Sequence, residues 1–343
     1  VIPKFSSLAI LLTLLTATPR VLQADWTSVT SLDQPVIKLS SDQKKARDAM
    51  KARFEAQIAA NEAFLRDFPD DPHAYDSRVR LAVAEARLGS LEQDPRVVDA
   101  ALGKLMTLEK KAPDESQRAE AMFRRISLQW QNLGSDPDQR RDRAVTSSKS
   151  FANLFPEDRR SPRLLAEAAS LCDNHPELKR PLVERALELS KEESLTQRLK
   201  DDLKRLDQLG KPVDLSFTDM QGDPVSLPKE RGNVVALVFW AADSFPSLLW
   251  MRDFTSYVAT VPSLKVIGVS LDQERNDLLG AMKALKINWP TAFDGKGWQN
   301  SVARQCGINS VPTLWLIDRQ GRLRYLNARD NYQLIISELM NNH

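Results

Sequence analysis

The chain has 343 residues, 42% hydrophobic and 27% charged, enough for two ordinary domains with cores of their own. Lysine and arginine number 48 against 46 aspartates and glutamates, so no global field points to nucleic acid or acidic lipid. Two cysteines and three histidines, widely separated, suggest neither a disulfide framework nor a metal site.

Residues 1–24 read as a secretory signal: Lys4 gives a charged start, Leu8 to Ala17 an apolar core, and Leu22-Gln23-Ala24 a cleavage site. The rival reading is an uncleaved amino-terminal anchor. The apolar core falls short of the ~20 residues that a membrane-spanning helix needs. No cysteine follows Ala24, so lipid attachment there is not expected. The expected location is the periplasm or another extracytoplasmic space.

Residues 40–209 are rich in Ala, Leu, Glu, Lys, Arg and Gln, and apolar residues recur at helical spacing. Phe54, Ile58, Leu65 and Phe68 form one stripe, and Leu102, Leu105 and Leu108 another. Three junctions resemble one another: Phe68-Pro69-Asp70-Asp71, Ala112-Pro113-Asp114-Glu115 and Phe155-Pro156-Glu157-Asp158. They are 44 and 43 residues apart, a repeat-like interval. In each, proline ends one helix and acids suit the start of the next. The pattern predicts helical hairpins over roughly 41–90, 95–133, 138–173 and 177–209. The region resembles a tetratricopeptide-type repeat, which either binds a peptide or protein on a concave face or acts as a spacer. Gly210-Lys211-Pro212 reads as a short linker.

Residues 210–343 change character. Val234 to Val238 is a buried apolar strand, Leu264 to Leu271 an alternating β-branched one. Gln221 to Leu227 places Gly222 in a tight turn between short strands, and Leu314 to Ile317 pairs with Arg322 to Leu326 across Asp318 to Gly321. Phe239-Trp240-Ala241-Ala242-Asp243-Ser244-Phe245-Pro246-Ser247 follows the first of these strands and leads into a helix. This run resembles the active-site turn of the TlpA/ResA-type thioredoxin-fold family, which reads Phe-Trp-Ala-x-Trp-Cys-x-Pro-Cys. Gly307-Ile308-Asn309-Ser310-Val311-Pro312-Thr313 resembles that family's cis-proline loop, and Asn288 to Trp298 its segment before the third helix.

The resemblance implies an α/β thioredoxin-like domain, a central mixed sheet flanked by helices, behind an all-α repeat domain. It implies a cis bond at Val311-Pro312 and a polypeptide groove formed by Trp240, Asp243, Phe245 and Val311. Both family cysteines are serine here, Ser244 and Ser247. Asp243 replaces the family's tryptophan, Phe245 fills the first intervening position, and Trp250 and Arg252 stand where the family often has an acid and a proline. Dithiol exchange needs a thiolate, which a serine hydroxyl cannot supply, so no catalytic residue is expected at Ser244, Phe245, Pro246 or Ser247. Cys306 is expected to be buried as a small hydrophobe. The expectation is an exported, redox-inactive module that binds or scaffolds a protein partner in the cell envelope, without metal, cofactor or nucleic acid. The alternative is a thiol-disulfide oxidoreductase, or one-cysteine chemistry through Cys306.

Overall fold

A computed structural model describes residues 25–33, 42–132 and 136–341. The expected signal segment, His343 and the ends of several expected hairpins lie outside the described residues. The chain divides into two compact units after Asn132.

The first unit is helical: α1 (Trp26–Ser31), α2 (Gln43–Asp67), α3 (Ala74–Glu92), α4 (Pro95–Lys110) and α5 (Glu115–Gln131). Aspartates start most of these helices. The carboxylates of Asp25, Asp42, Asp94 and Asp114 accept first-turn N–H groups that have no partner inside the helix. Helix α3 packs on α2, α4 and α5. Tyr75, Val79, Ala82 and Ala86 of α3 meet Ala101, Leu105, Ala121 and Leu128 in one core. On α2, the fully buried aromatic is Phe64 rather than the expected Leu65 or Phe68, which are half-buried.

The second unit begins with four more helices: α6 (Pro137–Leu154), α7 (Ser161–Ser170), α8 (Pro176–Leu189) and α9 (Glu193–Gln208). Helix pairs thus fall over all four expected hairpins. The junction after α6 repeats the one after α2. Phe68 and Phe155 end their helices in nearly the same backbone conformation, each N–H donating to the carbonyl of the phenylalanine one turn back. Asp71 and Asp158 then each accept the N–H two residues on.

The sheet region follows, with β1 (Ser216–Thr218), β2 (Pro224–Ser226), β3 (Val235–Trp240), α10 (Phe245–Val258), β4 (Lys265–Ser270), α11 (Arg275–Ala284), β5 (Thr291–Ala292), α12 (Ser301–Gln305), β6 (Thr313–Ile317), β7 (Leu323–Tyr325) and α13 (Tyr332–Asn341). Strands β1 and β2 form an antiparallel hairpin. The main sheet has the order β5-β4-β3-β6-β7; β3, β4 and β5 are parallel, and β6 and β7 antiparallel to their neighbours. This is a thioredoxin-like fold.

Alternation along β3 sends Leu237 and Phe239 to one face and Val238 and Trp240 to the other. The first face packs on Val302, Ala303 and Cys306 and on Leu206 of α9. The second packs on Met251 and Phe254 of α10, Leu278 of α11 and Ile336 of α13. Helix α9 therefore completes the core of the sheet region. The Gly210-Lys211-Pro212 stretch, expected as a linker, is bound to the sheet edge. Gly210 N–H donates to the Leu323 carbonyl at 2.7 Å, and Leu323 N–H to the Lys211 carbonyl at 2.9 Å. The reason is that β7 ends the sheet and would leave these backbone groups unpaired.

Candidate functional site

The turn after β3 is built by backbone geometry and one carboxylate. Residues 241–244 leave the sheet, and Ser244 caps α10. Its Oγ accepts the Ser247 N–H at 3.4 Å, and Pro246 sits in the first turn, where its missing N–H costs nothing. Asp272, just past β4, holds the turn from the side. Its Oδ1 accepts the N–H of Ala242 at 2.6 Å and of Asp243 at 3.3 Å; its Oδ2 accepts the Ser270 hydroxyl at 2.7 Å. Burial pushes the Asp272 carboxyl up, outweighing those hydrogen bonds. Sequence reasoning missed this residue. Its only trace was an acid directly after an apolar strand.

The cis-proline loop lies beside this turn. The final β3–β6 pair is Phe239 with Thr313, so one further step along both strands places Trp240 opposite Pro312. The Val311-Pro312 bond is cis, as the resemblance implied. Val311 is half-buried. Phe245 is 75% exposed at the start of α10, and Leu249, one turn on, is 46% exposed. Asp243 and Pro246 are also exposed. Phe245 thus does not fold back onto its own domain.

Trp240 does not belong to this surface. It is fully buried among the α10- and α13-facing residues, because alternation along β3 turns it inward. Trp250 is likewise structural: it stacks on Phe254 at 4.6 Å, meets Tyr332 edge-on, and its indole N–H donates to the Arg329 carbonyl at 3.1 Å. An acid in that place would face aromatic rings.

The chemistry available is limited. Ser247 Oγ is buried without a hydrogen-bond partner among the described residues. The two described histidines are engaged elsewhere, His73 with Asp71 and His175 with Arg141, so neither serves as the base a serine nucleophile needs. Cys172 and Cys306 are free and buried, and burial pushes their thiols up to about 11 and about 12. Neither is a thiolate near neutral pH.

The loop leading to Pro312 is pinned by the preceding helices. Gly307 has φ +69°, and a Cβ there would stand 2.9 Å from the Asp201 carbonyl of α9, so only glycine fits. Asn309 Nδ2 donates to Asp202 Oδ1 at 3.2 Å. Asp202 also pairs with Arg205 and, at 3.5 Å, with Lys179 of α8, which is 3% exposed. Lys179 reaches Asp173 as well, whose second oxygen accepts Asn327 Nδ2 at 3.1 Å. Burial raises the Asp173 carboxyl, but Lys179, Arg205 and these hydrogen bonds outweigh it and hold it below its usual range. A cavity of about 730 Å³ opens beside this cluster, lined by Arg198, Asn309 and Ser310 among others.

Residues 209–326 match the model of the AhpC/TSA family. No curated protein matches the chain. Among solved structures, a putative thiol:disulfide interchange protein DsbE from Chlorobium tepidum is 26% identical, covering 39% of this chain and 99% of its own, with a TM-score of 0.32. The thioredoxin domain of a thiol-disulfide oxidoreductase from Bacteroides vulgatus is 24% identical over 38% of this chain and 97% of its own, TM-score 0.32. A secreted disulfide oxidoreductase of Mycobacterium tuberculosis is 14% identical over 37% and 96%, TM-score 0.33.

Proposed function

We propose that this protein is a redox-inactive, extracytoplasmic binding module whose thioredoxin-like surface grips a polypeptide without exchanging disulfides. The observation that carries the reading is the pairing of a thiol-free turn with an exposed Phe245 beside the cis-proline loop. Serines at 244 and 247 stand in the resemblance's two cysteine positions, and both cysteines of the chain are buried elsewhere. A two-electron dithiol couple needs two neighbouring thiols, and none are present among the described residues. An aromatic side chain left in water at such a place gains about 1.5–3 kcal/mol when a partner covers it. Export rests on the reading of residues 1–24 as a signal. No described helix is long and apolar enough to cross a membrane.

The test pairs two assays on the same preparation. Insulin disulfide reduction by dithiothreitol should proceed at the uncatalysed rate. Binding of a fluorescent, permanently unfolded polypeptide such as carboxymethylated lactalbumin should be saturable and should weaken at least tenfold in Phe245→Ser. Thiol-dependent turnover that disappears in Cys306→Ala would establish one-cysteine chemistry in place of this reading. Unchanged binding by Phe245→Ser would remove the turn from the binding surface.

A further inference from the structure

The first unit carries a cluster of arginines on α2, α3 and α5. Arg87 of α3 is half-buried, yet among the described residues it has no hydrogen bond or ion pair. Burial, then Arg124 of α5 and Arg53 of α2, disfavour its charge. Arg80, on the same stripe of α3, is disfavoured by burial and then by Arg124. Cross-helix contacts set the register: Lys51 of α2 meets Glu92 at the end of α3, and Tyr75 and Ser90 of α3 meet Gln117 and Asn132 at the two ends of α5, so Arg53 and Arg124 stand within about two turns of Arg87 along α3. Arg124 Nε donates to Glu120 at 2.7 Å, so its own charge is partly met. Among the described residues Arg87 has no carboxylate partner, whereas Arg80 and Arg124 each have one.

Part of this face is already covered by the chain itself. Trp26 of α1 stacks on His73 at 4.6 Å, and the Arg80 guanidinium lies 5.2 Å from the Trp26 ring centre. Asp33 pairs with Arg80. The Leu32 carbonyl accepts from Arg53 Nη2 at 3.1 Å and from Gln57 Nε2 at 2.9 Å. The segment that ends at Asp33 is thus held by Arg53 and Arg80 of this face. Arg87 lies two helical turns beyond Arg80, about 10 Å along α3. Residues 34–41 contain no aspartate or glutamate, so the sequence that follows Asp33 has no carboxylate for Arg87.

We infer that Arg53, Arg87 and Arg124 form a binding site for a carboxylate side chain on an acidic polypeptide segment of another protein. The surroundings favour a peptide over other anions. Arg53 and Gln57 hold a backbone carbonyl, and Arg80 a carboxylate, on the same face. A guanidinium suits bidentate pairing with a carboxylate. The chain as a whole has no basic field of the kind that draws nucleic acid. The site is separate from the surface around Phe245, and neither reading depends on the other.

The experiment titrates fluorescein-labelled tetraglutamate into the whole protein and follows anisotropy. Saturable binding is expected, at least tenfold weaker in Arg87→Gln, partly kept in Arg87→Lys, and unaffected by Phe245→Ser. Arg124→Gln should weaken it as well, which guards against a local defect at position 87. Thermal unfolding of each variant checks that the fold is retained. Absence of saturable binding, or equal binding by a folded Arg87→Gln variant, overturns the proposal. So does displacement by inorganic phosphate or an oligonucleotide at the concentrations at which unlabelled tetraglutamate competes. Failure of both arginine variants alone would leave the Phe245 assay unchanged, so the two readings are judged apart.

Discussion

Ser244 and Ser247 sit in different surroundings, and the difference shapes what cysteines would do there. Ser244 is half-exposed at the amino end of α10, where the helix dipole favours a thiolate. Asp243 beside it opposes that charge. Ser247 is buried, and its hydroxyl has no partner among the described residues, so a sulfur that asks for no hydrogen bond suits the place. The double replacement Ser244→Cys/Ser247→Cys is expected to fold and to form a disulfide, yet to reduce insulin poorly. Adding Asp243→Trp should raise the rate by removing the opposing charge. The pH dependence of alkylation at position 244 checks this; reductase activity in the double variant equal to that of an active thioredoxin-fold enzyme would show that the neighbouring substitutions are neutral. Asp272 gives a second prediction. Its carboxyl is raised in the folded state, so the native protein binds that proton more tightly than the unfolded chain does. This contribution to stability is full below the unfolded carboxylate range, near ~3.9, and is lost as pH rises through the raised folded value. Asp272→Asn keeps an acceptor for the Ala242 and Asp243 N–H groups and removes the titration. The variant should therefore gain stability relative to the parent as pH rises above the ordinary carboxylate range and through the raised folded value, read as a rising difference in Tm.

At the scale of elements, α8 and α9 behave as part of the sheet region. Leu206 of α9 lies in the core beneath the sheet, and Lys179 of α8 is buried between Asp173 and Asp202. Asp202 in turn holds Asn309, in the loop that leads to Pro312. Removing one member of a buried charge cluster leaves the others unpaired, which typically costs about 3–5 kcal/mol. Lys179→Ala should lower the denaturant midpoint of the second unit by a corresponding amount with little change in slope. A loss under about 1 kcal/mol, the worth of an exposed pair, would mean that water reaches the cluster. None of this was legible in the residues, because Lys179, Asp202 and Asn309 are unremarkable letters until two helices and a loop meet. The helices themselves were legible, since their prolines, aspartate caps and apolar spacing act within a turn or two of the chain.

For the whole molecule, the second unit starts at the helices and not at the sheet. A fragment of residues 210–341 lacks Leu203, Leu206 and Leu209, all of which pack on the core beneath the sheet. Each leucine contributes about 1.5–3 kcal/mol when fully buried. Leu206 is buried and Leu203 and Leu209 half-buried, so that fragment should be less stable than residues 136–341 by about 3–6 kcal/mol, and should self-associate through the uncovered face. Urea unfolding and sedimentation of the two fragments decide it; equal stability would make α6 to α9 a separate layer with no share in the core.

The sequence by itself determined the local elements and the fold they build. The caps, the proline junctions, the strand alternation and the turn glycine at 222 depend on neighbours in the chain, and the ordered motifs from Gly210 to Leu326 identified the thioredoxin-like sheet. It also determined the absence of a dithiol at 244 and 247, because that is a matter of composition. Tertiary structure decided what each side chain faces. It turned Trp240 inward and left Phe245 in water, made Trp250 part of an aromatic cluster, and gave Asp272 the backbone of the turn to hold. It joined residues 210–213 to the sheet edge and isolated Arg87 among like charges. These outcomes depend on residues tens of positions apart, and periodicity along one segment carries no information about what the opposite segment will present.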